Sequence, residues 1–472
     1  MVMGSLRQKT ELVIIGGGPG GYVAAIRAAD LGKEVILIEE RERLGGVCLN
    51  EGCIPSKALI NAVETAEIAK DANKFGLTFE KLSLDTKALV EFTESVVDGL
   101  TKGVAGLLRR RGVEVIKGRA RFETAHSLAL EDSDVSRIDF DYAIIATGSR
   151  PVKLPFAEKL ELWDSSDALK VSEVPQRLLV VGGGYIGMEL GLLYSGLGSK
   201  VTMVEFFPRL IPGADYDLVE VVAKNCKKRF EAIFVESKVA SIEKSGDGFV
   251  ATVEYKGESN KIAADRILVA VGRKPNSDSI GIEDTGIELD EKGFIKVDAK
   301  MRTNYPHIFA IGDVVAGPML AHKASREGQV AAEVIAGRRS EFDNRAIPAA
   351  VFTEPEIAWV GLTEREAEER GIKANVGKFP LRALGRARTL GRTDGFVKIL
   401  SEPESGLVLG VGMVGTQASE MIAEATLALE MGATLEDLKV TIHPHPTISE
   451  AIMSAAEVAS GEPIHLDPEK KK

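Results

Sequence analysis

At 472 residues the chain has room for two to four domains. A formal net charge of −11 excludes a nucleic-acid binder, which needs basic surface to displace counterions. The runs Arg109-Arg110-Arg111, Lys227-Lys228-Arg229 and Lys470-Lys471-Lys472 read as solvated faces. No stretch reaches the roughly eighteen apolar residues of a membrane span, and Met1 to Thr10 holds no apolar h-region. Three cysteines are too few for a secreted disulfide scaffold, so a cytoplasmic protein is expected.

Glu11 to Ile15 reads as a buried parallel strand. Gly16-Gly17-Gly18-Pro19-Gly20-Gly21 follows, fitting G-x-G-x-x-G at Gly16, Gly18 and Gly21, then an Ala-rich helix from Tyr22 to Leu31. The strand Glu34 to Ile38 ends at Glu39. Such a unit makes a tight turn, lets the backbone approach a pyrophosphate, and places a carboxylate for a ribose hydroxyl. Glycine-rich turns also arise for packing, but the strand–turn–helix–strand–acid context favours the dinucleotide.

Next come Gly45-Gly46-Val47-Cys48-Leu49-Asn50-Glu51-Gly52-Cys53-Ile54-Pro55-Ser56-Lys57. Five residues of regular helix rise about 7.5 Å, beyond the roughly 7 Å that a disulfide tolerates between Cα atoms. Cys48 and Cys53 can therefore pair only if the helix is interrupted, and Gly52 permits that. A redox pair and two buried small hydrophobes both remain open, while zinc lacks further ligands nearby. Cys226, in a helix-like stretch, reads as inert packing.

Asn61 to Lys74 and Thr86 to Arg111 carry helical spacing; Val113 to Ile116, Ala120 to Phe122 and Leu128 to Leu130 read as strands. Tyr142 to Gly148 is a strand ending in a turn at Ser149-Arg150-Pro151. The opening pattern then recurs: a strand at Arg177 to Val181, glycines at Gly182, Gly184 and Gly187, a helix through Leu197, and a strand from Lys200 to Val204 ending at Glu205. Glu205 is followed by Phe206-Phe207-Pro208, and a carboxylate there suits the free 2′-hydroxyl of NAD rather than NADP. The first copy, next to the cysteines, calls for a flavin that can exchange electrons with thiols and nicotinamide alike.

Arg266 to Gly272 mirrors the strand at 142–148, and both look like crossings between domains. Thr303 to Asp313 reads as an apolar strand ending on an acid, which is either a turn residue or a ligand to a flavin's ribityl chain. Beyond about Ala346 the pattern becomes α+β, with strands at Val351–Val360, Gly395–Leu400 and Val408–Val414 and helices at Ser419–Met431 and Thr447–Ala459. A base near Cys48 would speed thiol–disulfide exchange. His443 and His445 are both eligible, with Glu450 as orienter of His445; Thr447-x-x-Glu450 reads equally as a capping box.

These residues resemble the pyridine nucleotide–disulfide oxidoreductases over essentially the whole chain, most closely the members that oxidise dihydrolipoamide. The resemblance rests on the cysteine segment, both glycine fingerprints, Ala310-Ile311-Gly312-Asp313, Gly317-Pro318-Met319-Leu320-Ala321-His322-Lys323-Ala324 and His445-Pro446-Thr447-Ile448-Ser449-Glu450. It implies an α/β fold of two Rossmann-like dinucleotide-binding domains, for FAD and NAD, plus a C-terminal α+β dimerisation domain. The implied division is 1–150 and 279–346 for FAD, 151–278 for NAD and 347–472 for the interface.

Cys48 would be the interchange thiol, Cys53 the thiol beside the flavin, and Lys57 would lie near flavin N5, paired with Glu189. Gly16, Gly18, Gly21, Glu39, Gly46, Ala120, Thr147, Gly148, Asp313 and Ala321 would hold FAD. Gly182, Gly184, Gly187, Glu205, Val239 and Gly272 would hold NAD. His445 would be the base, preceding a cis proline and oriented by Glu450, and would reach Cys48 of a second subunit in a homodimer. The partner would be a lipoylated carrier protein, and no metal is implied. Tyr185 is read as a lid on the nicotinamide pocket. Gly412, where relatives are larger, is read as altered strand packing or an altered docking surface. The alternatives are another NAD(P)H-dependent disulfide reductase on the same scaffold, or a flavoprotein docking or sensing subunit.

Overall fold

The apolar runs at 12–15, 35–38 and 143–145 are continuous, as strands covered on both faces require. In a computed structural model, which describes residues 6–467, they lie side by side in one sheet. Residues 1–5 and the basic run at 470–472 lie outside the described residues. No helix among the described residues is long and apolar enough to cross a membrane. The chain divides into two units: 1–152 with 164–171 and 272–343, and 153–163 with 172–271 and 344–472.

In the first unit the strands run in the order Glu114–Lys117, Val35–Glu39, Leu6–Ile15, Val135–Ile145, Ser127–Glu131, Arg119–Thr124, with Ile308–Ala310 also on Val135–Ile145. The first four and Ile308–Ala310 are parallel, the remaining pairings antiparallel. Register aligns Ile15 with Ile38 and Ile145, and Ile145 with Ala310, so these strands end on one edge. Side chains alternate across the sheet. Leu12, Ile14, Leu37, Ile144 and Phe309 pack with the helices, and Val13, Ile15, Ile36, Ile38 and Ile145 fill the other face. Each such side chain, fully buried, contributes about 1.5–3 kcal/mol.

The helix placed at 61–74 is Cys53–Lys70, followed by a short 3-10 turn at Ala72–Phe75. The Ser149–Pro151 turn is a strand, paired antiparallel with Arg273–Pro275, so the two crossings form one small ribbon. The strand at 303–313 shrinks to Ile308–Ala310, because Gly312 at φ 77° turns the chain into a 3-10 segment, Gly312–Val314.

The second unit contains the repeat. Ala232–Phe234, Lys200–Val204, Arg177–Val181 and Arg266–Val269 form a parallel sheet, flanked by helices Tyr185–Leu197 and Tyr216–Arg229. A three-stranded antiparallel sheet, Ser237–Ser245, Gly248–Tyr255 and Glu258–Ala264, was not anticipated from the sequence. The C-terminal part is a five-stranded antiparallel sheet in the order Ala349–Val351, Glu356–Gly361, Val408–Gly415, Phe396–Ser401, Asn375–Pro380, with helices Ala418–Met431 and Glu450–Ala459 packed into its core. The single strand expected at 351–360 is two, separated by a turn at a cis Glu354–Pro355 bond; proline lacks the N–H that a strand interior needs.

Candidate active site

The cysteine segment folds as two helices, Gly46–Glu51 and Cys53–Lys70, broken at Gly52 (φ −144°, ψ −108°). The break brings Cys48 and Cys53, both thiols, within hydrogen-bonding reach of each other. The hydrogen bond with Cys53, and then burial, push the Cys48 thiol far above the ordinary range, against the pull of Lys57. Asn50 Nδ2 fastens the short helix to the carbonyls of Leu44 (3.0 Å) and Gly46 (2.9 Å). Glu51, between the two cysteines, takes bonds from Arg41 (3.0 Å) and Ser166 (3.1 Å).

The first glycine turn abuts this pair. Gly45 N donates to Gly17 O at 2.8 Å, and a Cβ on Gly46 would meet Gly18 Cα at 2.8 Å. Gly16 has φ 105°, and a Cβ on Gly21 would fall 1.8 Å from Gly16 O, so that position closes the turn onto the helix. At Gly18 the nearest atom to an added Cβ is 3.8 Å away. The helix Pro19–Asp30 begins there with no side-chain cap. An open cradle with unmet N–H groups fits a pyrophosphate. Glu39 sits beneath, accepting from Gly17 N (2.8 Å) and Arg41 N (3.0 Å).

The second unit repeats this geometry. Gly182 has φ 107°, a Cβ on Gly187 would lie 1.9 Å from Gly182 O, and Gly184 has nothing within 4 Å. Glu205 accepts from Gly183 N (2.5 Å) and Phe207 N (2.7 Å). A carboxylate offers about four acceptor positions, so both glutamates retain capacity for a ribose hydroxyl. Tyr185, the first residue of the following helix, is 42% exposed. Val239 is a buried residue of the antiparallel sheet, opposite Val253. Gly272 belongs to the first unit, with φ 130° and its carbonyl accepting from Val152 N (3.0 Å).

Other residues of the first unit flank its flush sheet edge. Thr147 and Asn276 exchange hydrogen bonds of 3.1 and 3.0 Å, and Gly148 has φ 72°. Ala120 is buried in its strand. Asp313 Oδ2 accepts from Ser149 Oγ at 2.6 Å. Ala321 opens the helix Ala321–Ile335, again without a side-chain cap.

Sequence reasoning assigned no role to Lys323 and Glu327, an ion pair at 2.7 Å with side chains 4% and 3% exposed. Glu327 also takes Gly312 N at 2.7 Å, which fixes the turn carrying Asp313. Burial pushes the Glu327 carboxyl up, with Lys323 opposing. Their i,i+4 spacing was visible, but nothing in the sequence marks that pair as buried. Tyr22 was missed too: burial, and then the neighbouring Cys48, push its hydroxyl up.

The two histidines separate cleanly. His443 is 4% exposed, with Nδ1 2.9 Å from Thr441 O and Nε2 2.8 Å from Glu424 Oε1. His445 is 77% exposed, its Nδ1 2.8 Å from Glu450 Oε1, and the His445–Pro446 bond is cis. The acceptor at Nδ1 leaves Nε2 as the ring's basic atom. The other Glu450 oxygen accepts from Thr447 N at 2.8 Å, half of the expected capping box. The box is not completed, because the helix begins at Glu450 and the Thr447 hydroxyl donates to Pro444 O (2.7 Å). Glu189 is buried and accepts from Phe352 N at 3.0 Å; Lys57, its implied partner, is in the first unit.

Residues 10–328 match the family described as pyridine nucleotide-disulphide oxidoreductase, and residues 347–456 match its dimerisation domain. The chain is 47% identical over 469 residues to the dihydrolipoyl dehydrogenase of Bacillus subtilis, covering 99% of this chain and 100% of that one. It is 48% identical over 462 residues to the dihydrolipoyl dehydrogenase of Thermus scotoductus, covering 97% and 98%. Among solved structures, LpdA from Mycobacterium tuberculosis is similar with a TM-score of 0.87 at 29% identity, over 95% of this chain and 99% of that one.

Proposed function

The chain belongs to the pyridine nucleotide-disulphide oxidoreductases, among the dihydrolipoyl dehydrogenases, and from this we propose that its reaction runs through Cys48, Cys53 and His445. It is an NAD-dependent flavoprotein oxidoreductase: dihydrolipoamide and NAD⁺ give lipoamide, NADH and a proton. The observation that carries the residue assignment is the helix break at Gly52, which sets two thiols against each other beside an open glycine cradle.

In the oxidised enzyme Cys48 and Cys53 form a disulfide. His445 Nε2 accepts a proton from one substrate thiol, and the resulting thiolate attacks Cys48 Sγ, breaking the bond to Cys53. The second substrate thiol passes its proton to Cys48 by way of His445 as it displaces that sulfur, closing the lipoyl ring and leaving Cys48 a thiol, Cys53 a thiolate and one proton on His445. The hydrogen bond with Cys53, and then burial, favour the thiol form of Cys48, while the Lys57 ammonium pulls the other way. Bound FAD supplies a two-electron carrier between this pair and the nicotinamide. Gly16, Gly18, Gly21, Glu39, Gly46, Ala120, Thr147, Gly148, Asp313 and Ala321 would hold it; Gly182, Gly184, Gly187, Glu205, Val239 and Gly272 would hold NAD.

Exposure of His445 within the part of the chain that matches the dimerisation domain supports its acting on the disulfide of a second copy. We further assign 1–150 and 279–346 to FAD, 151–278 to NAD and 347–472 to pairing of chains. The substrate is the lipoyl group of a carrier protein, and the compartment is the cytoplasm, whose reducing poise suits a thiol pair that cycles.

Anaerobic mixing of the holoenzyme with dihydrolipoamide tests this reading. Flavin bleaching is expected in the wild type and its loss in Cys48→Ser. His445→Gln is expected to slow bleaching by about 10²–10⁴-fold. Unchanged bleaching in either variant would overturn the assignment.

A further inference from the structure

Ser149 and Arg273 are not accounted for by the reaction. Ser149 is buried at the start of the crossing ribbon, and its hydroxyl lies between two charged groups. Arg273 Nε donates to Ser149 Oγ at 2.7 Å, and Arg273 Nη2 donates to the Ser149 carbonyl at 2.7 Å. Ser149 Oγ donates to Asp313 Oδ2 at 2.6 Å. The direction is forced by chemistry: guanidinium has no acceptor, so the hydroxyl must receive from Arg273, and its one proton then goes to the carboxylate. Arg273 grips the serine at side chain and backbone together, so the hydroxyl cannot rotate away without losing a charge-assisted bond.

Asp313 is otherwise fixed only through its backbone. Glu327 takes the N–H of the preceding Gly312 at 2.7 Å, and the strand before it is registered against Val135–Ile145. The described residues give Asp313 Oδ1 no hydrogen bond, so the plane of this carboxylate is set by Ser149 alone.

We infer that Ser149, held by Arg273, is a positioning residue that orients the Asp313 carboxylate toward a hydroxyl of the bound flavin. The inference rests on the reading that Asp313 holds FAD. A preset acceptor avoids the ordering that a freely rotating carboxylate would undergo on binding. The residue pair acts on cofactor retention and touches no reacting atom.

The test is a double-mutant cycle on the holoenzyme, reading FAD affinity from the fluorescence of flavin released on serial dilution, with circular dichroism to verify folding. Asp313→Ala is expected to weaken FAD binding. Ser149→Ala is expected to weaken it about tenfold, the size of one lost hydrogen bond to a charged group. Ser149→Thr, which keeps the hydroxyl, should restore affinity. In the Asp313→Ala background, Ser149→Ala should have less than about a twofold effect, because its target is gone. An equal loss in both backgrounds would make Ser149 a packing residue and overturn the inference while leaving Asp313 in its role. An unaffected Ser149→Ala would do the same. If Asp313→Ala itself binds FAD normally, the reading of Asp313 fails and the inference with it. Should Ser149→Ala not fold, Arg273→Lys, which cannot bridge both serine atoms, is carried through the same cycle, with a smaller loss confined to the Asp313 background.

Discussion

His443 and His445 are two residues apart, each before a proline, and composition cannot tell them apart. Burial does: one ring has both nitrogens engaged inside the protein, the other keeps Nε2 at the surface. Burial pushes the Glu450 carboxyl up, but the bonds from His445 and Thr447 outweigh it and hold the group below the ordinary carboxylate range. A carboxyl depressed in the folded state stabilises above its unfolded pKa, and that contribution disappears as pH falls through the folded value. The melting temperature of Glu450→Gln should therefore lie below the wild type at neutral pH and converge with it in acid; a gap that persists at low pH would refute the pairing. From sequence, the capping and orienting readings of Glu450 competed as exclusive options. They are not exclusive, since a carboxylate has two oxygens and each reading uses one.

Packing at the level of whole elements accounts for Gly412. On the strand Val408–Gly415 it faces the helix Tyr216–Arg229, and a Cβ there would lie 2.8 Å from Leu218 Cδ1, itself fully buried. The glycine is a seat for that leucine. Gly412→Val should lower stability by about 1–3 kcal/mol in urea unfolding, and Leu218→Ala in the same chain should relieve the crowding.

Opposite Gly412 on the neighbouring strand Phe396–Ser401 is Lys398, 0% exposed, its Nζ 2.6 Å from Asp215, 2.8 Å from Asp217 and 2.7 Å from Glu364. Burial pulls the Lys398 ammonium down, yet the three carboxylates raise it overall. The ion pairs are then intact below the ordinary lysine range and lost only as pH rises through the folded value. Lys398→Met leaves the buried Asp215 without its ion-pair partner, while Lys378 still pairs with Asp217 (2.8 Å) and Glu364 (3.5 Å), and should cost about 3 kcal/mol, a difference that stays flat across neutral pH. No sequence pattern announced this cluster, because Lys398 lies 183 residues beyond Asp215 and 34 beyond Glu364. Local signals fared better. The hairpin turns at Gly246 and at Lys256-Gly257, all with positive φ, interrupt an alternating run whose Phe249, Ala251 and Val253 are buried. Two-residue turns of this kind, flanked by alternating residues, are a local hairpin signal. The ribbon of Ser149–Pro151 and Arg273–Pro275 was not readable, since each strand is three residues long and its partner lies beyond an intervening domain.

Across the whole molecule, the duplicated strand–turn–helix was legible because both copies obey the same steric demands. A residue with a side chain at Gly21 or Gly187 would collide with the carbonyl five residues earlier. The first unit, however, is discontinuous: Ile308–Ala310 completes its sheet on Val135–Ile145, and a Cβ on Gly328 would touch Gly20 O at 2.5 Å, so the helix Ala321–Ile335 is seated directly on Pro19–Asp30. During synthesis, the ribosome must add more than 160 residues after Ile145 before that strand's last neighbour exists. At about 5–20 residues per second, this is on the order of ten seconds or more. Throughout that interval Ala143 to Ile145 present an unpaired apolar edge, so nascent chains stalled near residue 271 should be captured by chaperones and fail to retain flavin, whereas those released past residue 343 should not.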